Sequence, residues 1–184
     1  MIKVVKFGGS SLASAEQFRK VRDILRADKK RRYVVPSAPG KRHKNDVKVT
    51  DMLYECYALA QQDGDFKPLL RKIRARYNEI INGLKLNMSL DEEFKQIEAD
   101  FREKAGIDYA ASRGEYLNGL IMSKYTGFEF IDAAEVIRFD KEGSFDADMT
   151  NRILKERLKK SENAVIPGFY GAQENGRVKT FSRG

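Results

Sequence analysis

Several chemistries and architectures are excluded by what this chain lacks. Its 184 residues include one cysteine, one histidine, four prolines and no tryptophan. The single thiol, Cys56, rules out an internal disulfide framework and any multi-cysteine metal site, so a reducing, cytoplasmic setting is expected. No apolar run approaches the about 20 residues needed to cross a bilayer. The apolar stretch that starts at Met1 is too short and too soon interrupted to be a signal peptide. There is no internal repeat and no low-complexity linker. What the chain has in excess is positive charge, 35 lysines and arginines against 27 acidic residues, for a net charge of +8. Such a surface attracts phosphates, polyanions or acidic metabolites without choosing among them.

The length suits one domain with a real hydrophobic core, or one domain with a helical insertion. Short apolar runs alternate with longer helical patterns, which predicts an α/β layered fold. The first strand, 2–6, runs into Gly8 and Gly9. Ser14 with Gln17 then predicts a capping box for a helix that turns Phe18, Val21, Ile24 and Leu25 inward. A second strand, 33–35, stops at Pro36-Ser37-Ala38-Pro39-Gly40. Stretches 51–60, 66–84 and 91–104 read as helices, the second through Phe66, Leu70, Ile73, Tyr77, Ile80 and Leu84, the third capped by Ser89 with Glu92. Another helix is predicted over 112–125, so that about 51–125 forms a helical insertion. Strand patterns return at 128–132 and 136–139. Asp146 opens an amphipathic helix with Met149, Ile153, Leu154 and Leu158, and 164–166 reads as strand. Glu174-Asn175-Gly176-Arg177 places a hairpin turn before Val178.

A glycine-bearing turn at the carboxyl end of a strand, followed by a helix, exposes backbone N–H groups to an anion, phosphate being the natural guess. The spacing is neither that of a Walker loop, whose lysine follows the glycines, nor that of a Rossmann turn. Two glycines also serve tight geometry alone. Lys6 weighs toward a ligand, because a lysine ending an apolar strand is costly to bury without a negative partner. Ser112 and Glu115 have capping-box spacing, and a carboxylate at a helix start can also hold a substrate ammonium. The loop 41–46 reads as a solvated, mobile connection, with His43 a surface residue, while Cys56 reads as a packed helix residue. Arg183 reads either as a bidentate carboxylate binder or as a terminal surface charge.

Taken in order, Lys6-Phe7-Gly8-Gly9-Ser10-Ser11, Pro36-Ser37-Ala38, Ser112-Arg113-Gly114-Glu115, and Pro167-Gly168-Phe169 with Ser182-Arg183-Gly184 resemble the aspartokinases of the amino acid kinase family. The likeness spans nearly the whole chain. It implies an open, mainly parallel sheet between helices, ATP and Mg²⁺ (as the nucleotide complex) as co-substrates, and L-aspartate as phosphoryl acceptor in amino acid biosynthesis. Carried over by position, Lys6 steadies the phosphates in transfer, and Gly8, Gly9 and Ser10 present donors to them. Ser37 and Thr50 belong to loops beside the substrate, Glu115 holds its ammonium, and Arg183 pairs with a carboxylate. In the family the Arg-Gly pair runs into a Gly-Ser-Asp stretch, then a nucleotide-binding half and regulatory domains. Residues 1–184 therefore resemble the amino-terminal, substrate-side part, expected to be inactive alone, of a protein expected to be a homo-oligomer. Two other readings compete: an amino acid kinase acting on glutamate, acetylglutamate or carbamate, and a non-catalytic polyanion-binding protein. Nucleic acid is not the expected partner, because aromatic residues are not interleaved with the basic ones.

Overall fold

The computed structural model describes residues 1–182. The chain opens with β1 (Lys3–Phe7), a 3-10 turn at Gly9–Leu12, α1 (Ala15–Arg26) and β2 (Arg31–Pro36). Then come α2 (Val49–Gln61), α3 (Lys67–Gly83), α4 (Asp91–Arg102) and α5 (Ile107–Thr126). The remainder alternates through β3 (Glu129–Phe130), α6 (Ala133–Val136), β4 (Arg138–Phe139), α7 (Ala147–Leu158), β5 (Ala164–Val165), β6 (Tyr170–Gln173) and β7 (Val178–Thr180). The principal sheet has the order β1-β2-β5-β3 with every pairing parallel. A smaller sheet, β4-β6-β7, pairs β4 with β6 in parallel and closes β6 on β7 as a hairpin. The expected turn Glu174-Asn175-Gly176-Arg177 makes that hairpin, with Gly176 at φ +81°, a left-handed conformation that favours glycine.

The predicted α/β sheet with a helical insertion is what forms. Ser14 caps α1, its Oγ accepting from the Gln17 amide at 3.4 Å, and Phe18, Val21 and Leu25 are buried. Ile24, expected inward, is 45% exposed. One helical residue rotates the side chain by about 100°, so position 24 falls off the stripe that 18, 21 and 25 define. In the helical layer Tyr57 meets Phe101 edge-on at 5.5 Å, and Tyr77 lies 6.1 Å from Phe94. This layer and the sheet share one core, because Val34 of β2 and Val165 of β5 belong to the same buried cluster as Tyr57, Ile73 and Leu117.

Three local expectations are corrected. The helix predicted from Ser112 starts at Ile107, after Gly106 at φ +113°. Ser112 and Glu115 therefore lie in mid-helix and form no capping box; the Ser112 hydroxyl donates instead to the Tyr109 carbonyl at 2.6 Å. At α4, Leu90 occupies the cap position, and Ser89 Oγ accepts only from the Asp91 amide at 3.1 Å. The apolar run expected as strand 136–139 is split. Asp132 caps a single helical turn by accepting from the Ala134 amide at 3.0 Å, and only Arg138 and Phe139 extend as β4.

Candidate active site

Parallel strands deliver their carboxyl ends to one edge of a sheet, and in open α/β sheets ligands bind there. Along that edge the loops after β1, β2 and β5 converge. The first two interlock through glycine: the Gly40 amide donates to the Gly9 carbonyl at 2.8 Å. A Cβ on Gly40 would lie 2.6 Å from the Gly9 carbonyl carbon, and one on Gly9 would lie 2.9 Å from the Ala38 carbonyl oxygen. Backbone contacts that close admit no side chain at either position. Gly8 differs, since a Cβ there meets nothing within 4 Å. Beside the interlock the Ser37 amide donates to the Phe7 carbonyl at 3.1 Å.

A cleft of about 560 Å³ opens over these loops. Of the sequence-predicted residues, Gly9, Ser10, Ser37, Thr50 and Glu115 all line it. Thr50 stands in the first turn of α2, half-buried. Lys6 and Gly8 adjoin the lining and are exposed. Lys6, expected to meet a negative group, is turned to solvent by the strand's alternation, and its charge reaches Glu115 from there. Arg183 lies outside the described residues.

Glu115 projects from α5 and is half-buried. Its Oε2 accepts from the amides of Gly168 at 3.2 Å and Phe169 at 3.0 Å, which ties α5 to the loop after β5. Burial pushes the carboxyl up to about 7, against the opposing pull of those two amides and of Lys6. Two glycines let α5 approach the sheet: a Cβ on Gly114 would lie 2.8 Å from the Ala38 Cβ, and one on Gly119 would lie 2.8 Å from the Phe130 ring.

Sequence reasoning missed the residues that support this cleft from beneath. Asn118 is fully buried and its Nδ2 donates to the Ser37 carbonyl at 2.7 Å. The Tyr77 hydroxyl donates to the Gly114 carbonyl at 2.7 Å. Asn118 was discoverable as a polar residue three positions after Glu115, on the same helical face. The loop 41–46, expected to be mobile, is held down. Asp46 accepts from Arg42 Nε at 2.9 Å and pairs with Arg76 Nη1 at 3.0 Å, while Arg42 also reaches Glu79 at 2.6 Å. His43 is exposed, as expected, and Cys56 is fully buried.

The model of the amino acid kinase family matches residues 1–184. The chain belongs to the amino acid kinase family. It is 35% identical over 197 residues to aspartokinase 3 of Bacillus subtilis (strain 168), which covers 99% of this chain and 43% of that protein. It is 27% identical over 198 residues to the aspartokinase of Chlamydia trachomatis, covering 98% of this chain and 43% of that one. Among solved structures, Clostridium acetobutylicum aspartate kinase superposes with a TM-score of 0.95 at 49% identity, over 98% of this chain and 42% of that chain. E. coli aspartokinase III in complex with aspartate and ADP gives a TM-score of 0.78 at 25% identity, over 100% of this chain and 44% of that chain. This member of the amino acid kinase family thus spans about 43% of the length of the curated relatives it matches.

Proposed function

We propose that the protein carrying this chain transfers the γ-phosphoryl group of ATP to the side-chain carboxylate of L-aspartate, and that this chain supplies the acceptor side of the site. The observation that carries the reading is Glu115. It is a carboxylate fixed by two loop amides in a cleft whose other walls are the glycine interlock and the Ser37 loop. Such a group suits an amino acid ammonium. The family membership and the aspartate and ADP bound to the E. coli relative support the same reading.

The chemistry asks little more of the protein. Aspartate's side-chain carboxylate, with an ordinary pKa of about 3.9, is ionised at neutral pH and needs no general base. Its oxygen attacks the γ-phosphorus, the bond from that phosphorus to the β-bridging oxygen breaks, and ADP leaves with the electron pair; the products are ADP and aspartyl phosphate. Positioning and charge neutralisation carry the rate in phosphoryl transfer. In this reading Lys6 offsets charge on the moving phosphoryl group, Gly8, Gly9 and Ser10 present N–H and hydroxyl donors, Ser37 and Thr50 orient the acceptor, and ionised Glu115 holds its ammonium. Arg183 keeps its proposed role toward a substrate carboxylate. Magnesium would enter in this reading as the nucleotide complex, held by the phosphates.

No helix among the described residues is long and apolar enough to cross a membrane. A cytoplasmic setting, with Cys56 reduced, and a homo-oligomeric whole protein complete the proposal. The test supplies ATP with aspartate, glutamate, acetylglutamate or carbamate to the full-length protein carrying this chain, follows ADP release, and traps the acyl phosphate with hydroxylamine. Aspartate is expected to give the hydroxamate, and Lys6→Ala to slow turnover by on the order of a hundredfold or more. Turnover confined to another acceptor, or retained in Lys6→Ala, would overturn the respective assignment.

A further inference from the structure

We propose that Lys41 and Lys48 form a second cationic wall of the cleft, one that receives anionic groups of the substrates, and that Arg76 is the positioning residue that sets them. This deepens the proposed function and rests on it. The loop between the two lysines carries one paired set of charges toward α3, with Lys44 exposed at its middle. Arg42 and Asp46 pair with each other, and from there with Arg76 and Glu79 of α3. Lys41 and Lys48, at the two ends of the loop, both line the cleft, and neither has an ion-pair partner among the described residues. The cations facing α3 are neutralised by the protein, and those facing the cleft are left for a ligand.

One guanidinium fixes both ends. Arg76 is 5% exposed. Its Nη2 donates to the Gly40 carbonyl at 2.9 Å and its Nη1 to the Val47 carbonyl at 3.2 Å, so it grips the residue immediately before each lysine. The third contact, to Asp46 at 3.0 Å, holds the loop between them. Gly40 also donates to Gly9, so the same anchor continues into the first loop of the site. A planar fork with several fixed donors suits such a brace, whereas lysine, a point charge on a flexible stem, suits anions that change shape during a reaction.

The charge balance calls for this wall. An acceptor carboxylate and a nucleotide phosphate repel as they approach, and that repulsion grows as water is excluded. Among the described residues Glu115 is the one carboxylate lining the cleft, and in its ionised form it answers a cationic group. Lys6 belongs to β1, while Lys41 and Lys48 belong to the loop between β2 and α2 and line the cleft.

The test uses the full-length protein carrying this chain, with wild type, Lys41→Met, Lys48→Met, the double variant and Arg76→Lys. Steady-state kinetics should show KM for aspartate or ATP raised by about tenfold in the double variant, with kcat within about twofold and a flatter dependence of KM on salt. Arg76→Lys keeps the charge but not the fork, and is expected to raise the same KM with kcat near wild type while the circular dichroism stays that of the folded protein. Unchanged KM values in the double variant would remove the wall, and a wild-type KM in Arg76→Lys would remove the brace. If wild type releases no ADP with aspartate, it is the proposed function that fails. Calorimetric binding of inorganic tripolyphosphate then tests the lysines by itself: about tenfold weaker binding in the double variant upholds them, and equal binding overturns them.

Discussion

A carboxyl group lifted by burial to about 7 is half-titrated near neutral pH, and Glu115 is such a group. Its ordinary value is 4.5. Across that window the unfolded chain has released a proton that the folded chain keeps, so stability falls as pH rises from about 4.5 to about 7. Glu115→Gln removes the titration, and the pH dependence of the urea midpoint should be flatter in that variant by this contribution. The ligand-linked consequence has the opposite sense. A substrate ammonium beside Glu115 favours the ionised form, so aspartate binding near pH 7 should expel part of a proton. Calorimetry in buffers of different ionisation heat reads that proton directly; it should vanish in Glu115→Gln, and buffer-independent heats in wild type would mean that the carboxyl does not meet the ammonium. At this scale Gly9, Ser10, Ser37 and Glu115 were legible, because each belongs to a short ordered motif. Arg76 and Asn118 were not. Their work depends on backbone carbonyls 36 and 81 residues away in sequence, which no local spacing encodes.

Elements meet at this site through glycine, and Gly40 of the loop after β2 and Gly8 of the loop after β1 make opposite predictions. Gly40→Ala drives a methyl to 2.6 Å from the Gly9 carbonyl carbon, backbone that cannot swing aside. The loops after β1 and β2 must separate, at an expected cost of about 1–3 kcal/mol, with a weakened substrate KM beside it. Gly8→Ala enters open space at φ −74°, a conformation any residue adopts, and should stay within about 0.5 kcal/mol of wild type. Urea midpoints for both variants decide this; equal losses would mean that the interlock is not what the glycines serve. The same scale explains which element boundaries were readable. Helices α2, α3 and α4 lie within a few residues of their expected spans, because long apolar periodicity marks them. The start of α5 was not readable, since Ser112 and Glu115 mimic a cap, and the true start uses Gly106 at a positive φ with its amide donating to the Tyr57 hydroxyl at 2.9 Å. The split of 136–139 likewise turns on Asp132, whose carboxylate also accepts from the Tyr170 hydroxyl at 2.7 Å, a partner 38 residues on.

At the scale of the whole molecule, the alternation of strands and helices foretold an α/β sheet with a helical layer, but not whether that layer is a separate folding unit. The packing argues that it is not. Leu53, Cys56 and Tyr57 of α2 share a continuous buried cluster with Phe18 of α1, Val34 of β2 and Val165 of β5. Opening the helical layer therefore strips the sheet of its cover. Cys56 reports on this. It is fully buried, its thiol contacts the Phe66 carbonyl at 3.6 Å, and burial pushes its pKa up to about 12. A thiol in that state has neither the access nor the thiolate that disulfide exchange requires. Since it is the chain's only cysteine, labelling by an aromatic disulfide reagent in native buffer should be negligible over the time in which the denatured chain reacts completely. With rising urea, labelling at equilibrium should follow the same midpoint as the loss of far-ultraviolet circular dichroism, because a buried cluster shared by helical layer and sheet opens in one cooperative transition. Labelling that sets in well below that midpoint would mean that α2 and its neighbours open while the sheet persists, and the cluster linking them would then not be what holds the helical layer in place.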